Sequence, residues 1–188
     1  MTAKPTYHHG DLRRALLDAA ASAIEESGVA ALSLRDLARR AGVSHAAPAH
    51  HFGDKAGLLA ALAAEGYEMQ ADALEAEDSF LEIGVAYVRF AVQHRAHFEV
   101  MYAPELYLYH ADDPALAAAR DRSGAVLYRS VEELPDAAAD PGAVREAALA
   151  AWSIAHGFAT LWLSGSLPDL GSSPDEAARM VLRELGRL

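Results

Sequence analysis

Guanidinium, imidazole, hydroxyl and ammonium groups are concentrated in one stretch near the N-terminus, LSLRDLARRAGVSHAAPAHHFGDKAGLL, which spans residues 32–59. Such groups donate hydrogen bonds to phosphate oxygens and to acceptor atoms on base edges. The whole chain has a net charge of −11, yet residues 1–55 carry a net charge of +1 and the remainder carries −12. Charge alone leaves two interpretations open, namely chance scatter on a solvated surface or a polyanion-facing end on an acidic body.

The spacing within this stretch predicts a helix-turn-helix. Ser33 is a plausible N-cap for a helix over residues 34–41, and Gly42 can adopt the left-handed conformation that ends it. Ser44 is then expected to cap a short third helix that runs to about His51. In such a unit the second of the two helices enters the major groove of DNA, while the first braces it across the backbone.

The side chains left facing outward are the candidate DNA-contacting groups. The full candidate set is Arg35, Arg39, Arg40, Ser44, His45, Ala46, Ala49, His50, His51 and Lys55. Lys55 follows Asp54, the predicted cap of a fourth helix. A cation is mildly unfavourable at a helix N-terminus, so its presence there makes sense if a phosphate binds across it. Of the two adjacent histidines, His51 is expected to pack against predicted helix 1 (about residues 9–27) or helix 4 (about residues 55–77), with His50 outward.

Residues 41–44 (AGVS), the His51-Phe52 pair and the Lys55 three residues later resemble the N-terminal domain of TetR-type transcriptional regulators. The resemblance covers about residues 9–66. It implies a homodimer that binds a pseudo-palindromic, double-stranded DNA operator and responds to a small molecule held in the C-terminal body. We therefore expect a DNA-binding transcriptional regulator, with a ligand-released repressor as the leading form.

Two residues depart from the usual form of this motif. The family usually has a Tyr that touches a phosphate where this chain has Ala49, so the resemblance implies one phosphate contact fewer. Pro48 falls inside the predicted third helix, where it removes a backbone hydrogen bond and should distort the turn. These departures leave a second hypothesis open, a sensing or interaction protein of the same fold with weakened or lost DNA binding.

Composition predicts an all-helical protein. Alanine and leucine dominate the 188 residues, 52% of the residues are hydrophobic, and period-two alternation is hard to find. We expect about nine helices in two domains. Residues 1–66 would form the helix-turn-helix domain with the start of helix 4, and residues 67–188 the helical ligand-binding and dimerisation domain. The chain lacks cysteine, a signal-peptide pattern and any long apolar run, so we expect a cytoplasmic protein.

Helix 8, within REAALAAWSIAHGFATLWLSG, is apolar around its whole circumference. Such a helix must be buried on all sides, and so small a body hardly supplies enough partners, which favours a subunit interface. With helix 9 it would form a four-helix bundle across a two-fold axis. The candidate interface residues are Ala147, Ala151, Ala155, Ala159, Val181 and Leu185. The segment WSIAHG, residues 152–157, also resembles the Trp-x-x-x-His-Gly signature of one TetR subgroup.

The resemblance implies a small-molecule site between predicted helices 5 to 8, which run from about residue 80 to about residue 164. The candidate lining residues are Arg89, His94, Phe98, Met101, Tyr102, Tyr128, Trp152 and His156. Core packing is the plainer interpretation for several of the apolar ones. Arg89 is different, because a guanidinium on an apolar helix face requires an anionic partner, either an internal acid such as Glu99 or a carboxylate of the ligand.

An enzyme or a metalloprotein is the third hypothesis. His94 and His97 are spaced to share a metal ion, with Glu99 or Asp113 as a further ligand. Yet the sequence has no HExxH motif, no glycine-rich phosphate loop and no nucleophile elbow. We therefore predict no catalytic residue, no bound metal and no cofactor.

Overall fold

The computed structural model describes the backbone of residues 9–104, 113–134 and 141–185, and within these ranges the side chains of all residues except 9–11, 141 and 185. The described residues form nine α-helices and no strands, which confirms the predicted all-α fold. The helices are α1 (His9–Ala31), α2 (Leu34–Arg40), α3 (Ala47–Phe52), α4 (Lys55–Glu75), α5 (Phe80–Gln93), α6 (Arg95–Met101), α7 (Pro114–Glu132), α8 (Pro141–Leu163) and α9 (Pro174–Leu185).

Local capping signals determine where the N-terminal helices begin. The Ser33 hydroxyl accepts a hydrogen bond from the Asp36 backbone N–H at 3.1 Å, and Asp54 accepts one from the N–H of Gly57 at 2.8 Å. Both residues are the predicted N-caps of α2 and α4. Gly42 has a φ of 66°, so the turn between α2 and α3 has the predicted left-handed glycine.

The start of α3 differs from the prediction in two respects. Its N-cap is Ala46, not Ser44, and no side chain caps it. Because the helix begins two residues later than expected, Pro48 falls in the first turn, where its missing N–H would have no partner inside the helix. The expected distortion by Pro48 was therefore wrong, and this residue is instead buried.

The long helix α4 connects the helix-turn-helix to the body. Its N-terminal part packs against α1 and α3, and its remaining length packs against α5, α6 and α7. The approach of α6 is close at Gly66, where an added Cβ would lie 2.8 Å from the Met101 sulfur. Helix α5 packs on α8 and α9, so the body is a layered bundle built on α4 and α5. The predicted domain boundary at residue 66 lies within α4 and stays a prediction.

Candidate DNA interface and effector site

The helix-turn-helix separates an apolar inner side from a polar outer side. Leu37, Ala38 and Pro48 are buried, which brings α2 and α3 together against α1 and α4. The candidate DNA-contacting residues that are exposed around the turn and along α3 are Ser44, His45, Ala46, Ala49 and His50. His51 is half-buried. The predicted reading surface is therefore accessible, and its roles in DNA binding stay predictions.

The arginines of α2 form exposed ion pairs with one carboxylate. Asp36 accepts from the guanidinium of Arg39 at 2.6 Å and from that of Arg40 at 2.7 Å, and Arg40 also contacts Glu26 of α1 at 2.8 Å. The hydrogen bonds from Arg40 and Arg39 lower the pKa of Asp36. Arg35 is exposed beside them. Exposed pairs of this kind contribute little to stability, so the arginines can exchange Asp36 for a phosphate at small cost.

Lys55 has partners within the chain. Its ammonium donates to the backbone carbonyls of Val29 at 2.8 Å and of Ala30 at 3.2 Å. These carbonyls belong to the last turn of α1, where a helix has unpaired acceptors and a partial negative charge. Lys55 therefore ties the start of α4 to the end of α1. Its predicted phosphate contact stays a prediction.

In the body, five aromatic or imidazole side chains from α5, α6 and α8, and from the residue that follows α6, form one group that we call the aromatic cluster. Its members are Tyr87, Phe98, Tyr102, Trp152 and His156. The Tyr87 hydroxyl is the hub, because it lies 2.9 Å from the Tyr102 hydroxyl and 2.9 Å from Nδ1 of His156. The Trp152 indole N–H also donates to it at 3.2 Å.

Burial determines the protonation states in the aromatic cluster. It raises the pKa of Tyr87 well above the ordinary value, and it lowers the pKa of His156. Neutral forms of both groups are therefore favoured near pH 7. With His156 neutral, the Tyr87 hydroxyl can donate to Nδ1 while it accepts from Trp152 and Tyr102. The cluster is therefore uncharged, and three of its members, Tyr102, Trp152 and His156, are each hydrogen-bonded to Tyr87.

The other candidate pocket residues lie apart from the aromatic cluster. Arg89 donates to Asp175 at 2.7 Å and to Glu77 at 3.1 Å. Its anionic partners are therefore these two internal carboxylates and not Glu99. His94 contacts the ring of Phe90 at a centroid distance of 5.2 Å. Tyr128 is exposed on α7, and Met101 is buried beneath Gly66. Of the candidate lining residues, the structure therefore brings together Phe98, Tyr102, Trp152 and His156, whereas the rest of the set is scattered. Their role in ligand binding stays a prediction.

Family comparison agrees with this architecture. Residues 16–62 match the family model described as bacterial regulatory proteins, tetR family, and residues 80–185 match the model described as tetracyclin repressor-like, C-terminal domain. The second match alone spans more than half of the chain. The chain belongs to the TetR family of transcriptional regulators. The predicted family and DNA-binding regulatory class are thereby confirmed.

Solved structures of similar fold extend over nearly the whole regulator. A protein of unknown function from a Rhodococcus species is 38% identical, with a TM-score of 0.74 and coverage of 96% of this chain and 98% of its own. PfmR, a TetR-family regulator from Thermus thermophilus, is 24% identical, with a TM-score of 0.64 and coverage of 89% and 97%. NalD, the secondary repressor of the MexAB-OprM multidrug efflux pump in Pseudomonas aeruginosa, is 20% identical, with a TM-score of 0.64 and coverage of 95% of both chains. No curated protein matches the sequence.

The alanine ridge of this TetR-family chain does not face outward. Ala151, Ala155 and Ala159 are at most 9% exposed because the protomer's own helices cover them, and Ala147 is half-buried. The prediction that these three alanines form the subunit interface was therefore wrong. Val181 of α9 is half-buried, and the side chain of Leu185 lies outside the described residues. The apolar circumference of α8 therefore has two sides. The alanine ridge packs inside the protomer, and the opposite side is exposed.

Two polar groups in the body were missed by sequence reasoning. Tyr87 was hidden within the apolar run of α5, and Gln70 within that of α4. A signal existed in each case, since a polar atom on an otherwise apolar helix face must find a partner when buried. The partners themselves, His156 for Tyr87 and Ser123 for Gln70, are distant in sequence and could not be named from it.

Nothing in the described ranges resembles the metal site considered from the sequence. His97 lies 3.0 Å from the carboxylate of Glu65, and Glu99 accepts from a backbone N–H, so His94 and His97 share no acidic ligand. Within the same ranges no group of three or more His, Cys, Asp or Glu side chains is placed to hold a metal ion. Likewise, none of the helices described could cross a bilayer. Regulators of this family are generally DNA-binding proteins and not enzymes.

Proposed function

We propose that this regulator is a homodimeric repressor that binds a pseudo-palindromic operator in the cytoplasm and leaves it when a small molecule binds in the body. The observation that carries the DNA-binding role is the exposed polar face of α2 and α3 over a buried apolar face. Side chains on that face can donate to phosphates and base edges, whereas the acidic remainder of the surface repels DNA. The protein therefore presents one orientation to the duplex.

Phosphate binding would recruit the arginines of α2 from Asp36. In the free protein Arg39 and Arg40 share this carboxylate, which holds both guanidinium groups on the outer side of α2. A phosphate offers the same bidentate geometry with more negative charge. Base contacts would then come from Ser44, His45 and His50, which lie around the turn and along α3.

A second copy of the chain would cover the outer face of α8. That face is exposed and carries small or apolar residues, among them Leu149 at 57% and Leu161 at 46% exposure. Gly157 lies between them in sequence, and a Cβ added there would meet nothing within 4 Å in the protomer. Glycine destabilises a helix interior, so its presence at an uncrowded position fits close approach by a partner helix. Met180 of α9 is 54% exposed and would extend this surface.

The aromatic cluster is the proposed effector site. It joins α5, α6 and α8, so a molecule that enters it would change the relative positions of these helices. Phe98 belongs to the cluster, and the next residue, Glu99, bonds to the backbone of Val29 in α1. An effector that favours a different α6 position would thereby shift the population of DNA-binding arrangements. Repression requires the two recognition helices of the dimer to be about 34 Å apart. A small rotation of the DNA-binding domains would change this distance and is enough to release the operator.

Selection from a random double-stranded DNA pool tests this function directly. The winning site should be pseudo-palindromic, and log K should fall steeply against log salt because phosphate binding releases counterions. Absence of enrichment together with weak, salt-independent binding would reject the repressor. That outcome would instead favour the sensing protein of the same fold, for which the exposed Ala49 in place of a phosphate-binding Tyr is the supporting observation.

A further inference from the structure

Gln70 is a buried polar side chain with a donor that no described neighbour uses. It lies on α4 with 2% exposure, and its Oε1 accepts a hydrogen bond from the Ser123 hydroxyl at 2.8 Å. Ser123 on α7 is itself only 5% exposed. The Gln70 Nε2 has no hydrogen-bond partner among the residues that the structure describes. An unpaired buried amide weakens the folding equilibrium by roughly tenfold or more, so its retention requires a reason.

Gln70 lies one turn from a residue of α4 that contacts the aromatic cluster. Tyr67 precedes it by one turn on the same face of α4, and its ring meets that of Tyr102 edge to face at a centroid distance of 6.2 Å. The Tyr67 hydroxyl donates to the Met101 carbonyl at the end of α6. The stretch of α4 that carries Gln70 is thus joined to the aromatic cluster through the contact of Tyr67 with Tyr102.

Several charged groups around this part of α4, among the residues that the structure describes, are already paired. Arg122 of α7 binds the carboxylates of Glu68, Asp72 and Glu75 on the outer side of α4. Arg89 is paired with Asp175 and Glu77, and Glu65 with Arg14 and His97. A charged ligand at Gln70 would lose its hydration without gaining an opposite charge from these paired groups, whereas a neutral one incurs no such penalty.

We propose that the Gln70 amide is a hydrogen-bond donor to the effector, and that the effector is a neutral, largely apolar molecule with a carbonyl oxygen. The oxygen accepts from Nε2, and the apolar part packs on the aromatic cluster. This inference rests on the proposed function, because it names the ligand class of the same site. It also explains the unpaired donor, since binding sites commonly retain groups that are unfavourable in the free protein.

Four probes of one size separate the ligand classes. Acetophenone carries the carbonyl, ethylbenzene lacks it, benzoate is an anion and benzylamine is a cation. Calorimetric titration should show acetophenone binding roughly tenfold more tightly than ethylbenzene, as one satisfied buried donor predicts. Benzoate and benzylamine should bind more weakly than acetophenone. No saturable binding of acetophenone, or a preference for either charged probe, would overturn the inference.

A pair of matched variants assigns the effect to Gln70. In Gln70→Met the preference for acetophenone over ethylbenzene should disappear, whereas Gln93→Met, which changes an exposed glutamine of α5, should retain it. Gln70→Met should also raise the Tm by about 2–4 °C, because the unpaired donor is lost and the Ser123 hydroxyl can turn to a carbonyl of its own helix. A preference unchanged in Gln70→Met, or a fall in its Tm, would contradict the proposed role.

Failure of this inference is distinguishable from failure of the proposed function. If the DNA pool yields an operator but acetophenone shows no dependence on Gln70, only the ligand class is wrong. If acetophenone binding depends on Gln70 but no operator emerges, the ligand class stands and the repressor role falls.

Discussion

The carboxylate of Glu99 accepts a hydrogen bond from the backbone N–H of Val29 at 3.2 Å. Glu99 belongs to α6 in the body, and Val29 to the last turns of α1, immediately after the left-handed Gly28. Since Phe98 next to Glu99 lies in the aromatic cluster, one short helix contacts both the proposed effector site and α1, the helix on which α2 packs.

A second connection runs parallel to this one. Glu65 of α4 accepts from Arg14 of α1 and from His97 of α6. Burial raises the pKa of Glu65, but the hydrogen bonds from Arg14 and His97 outweigh it, so the pKa is lowered. The carboxylate is therefore charged near pH 7, and α6 is held to α1 through α4.

Replacement of Glu99 by Ala should release the end of α1 from α6. The Val29 amide would lose its acceptor. The free energy of local opening should then fall by about 1 kcal/mol, which makes hydrogen exchange at that amide roughly fivefold faster. Exchange measured by NMR checks this. Glu132→Ala, at an exposed position on α7, is the control and should leave Val29 unchanged. Equal protection of Val29 in wild type and Glu99→Ala would show that the bond does not hold α1.

Replacement of Ala49 by Tyr should strengthen DNA binding severalfold. Ala49 is exposed on α3, and a tyrosine hydroxyl there can donate to a phosphate. Because tyrosine is neutral and displaces no counterion, the slope of log K against log salt should stay the same. Fluorescence anisotropy at several salt concentrations measures both quantities. Ala76→Tyr, at the C-terminal end of α4, should change neither; a gain shared by both variants would argue against a DNA role for position 49.

Replacement of Gly157 by Leu should shift the subunit equilibrium towards monomer. The protomer has open space at this position, so the larger side chain cannot clash within it, whereas a closely packed partner helix would be displaced. Gly124→Leu is the matched control, because it is a helical glycine on α7 with equally open surroundings. Sedimentation velocity should show weaker association, by about tenfold or more, only for Gly157→Leu. Unchanged association would place the interface elsewhere.

Acid should destabilise the protein through two half-buried histidines, His94 and His156. Burial lowers the pKa of His156 below its ordinary value of 6.5, and burial together with the neighbouring His97 lowers that of His94. The unfolded chain therefore takes up these protons first as the pH falls through 6.5, and the free energy of unfolding decreases by at most about 1.4 kcal/mol per pH unit for each histidine.

Urea unfolding at pH 7.5, 6.5 and 5.5 measures this dependence. The fall in stability between pH 6.5 and pH 5.5 should be smaller in His156→Gln than in wild type. His50→Gln, which changes an exposed histidine, should behave as wild type does. An identical pH dependence in His156→Gln and wild type would show that His156 titrates alike in the folded and unfolded chains.

Much of the helix-turn-helix could be predicted from the sequence. The N-caps Ser33 and Asp54 and the left-handed Gly42 were placed correctly, because each depends on backbone groups within a few residues. The start of α3 was misplaced, since Ser44 is as good a capping residue as any by type. Its backbone carbonyl instead accepts from Ala47, so a turn precedes the helix.

What the sequence by itself determined is the helical class and the amphipathic surfaces, which follow from residue type and short-range periodicity, together with the family, which was recognised from the resemblance of the motif around residues 41–55. The tertiary structure decided which distant groups meet. Arg89 pairs with Asp175, 86 residues away, and Tyr87 meets His156 across 69 residues. The direction of the α8 ridge and the unpaired Gln70 amide were decided in the same way. Such pairings depend on how helices pack, and periodicity along one helix gives its apolar faces but not the element that will cover each of them.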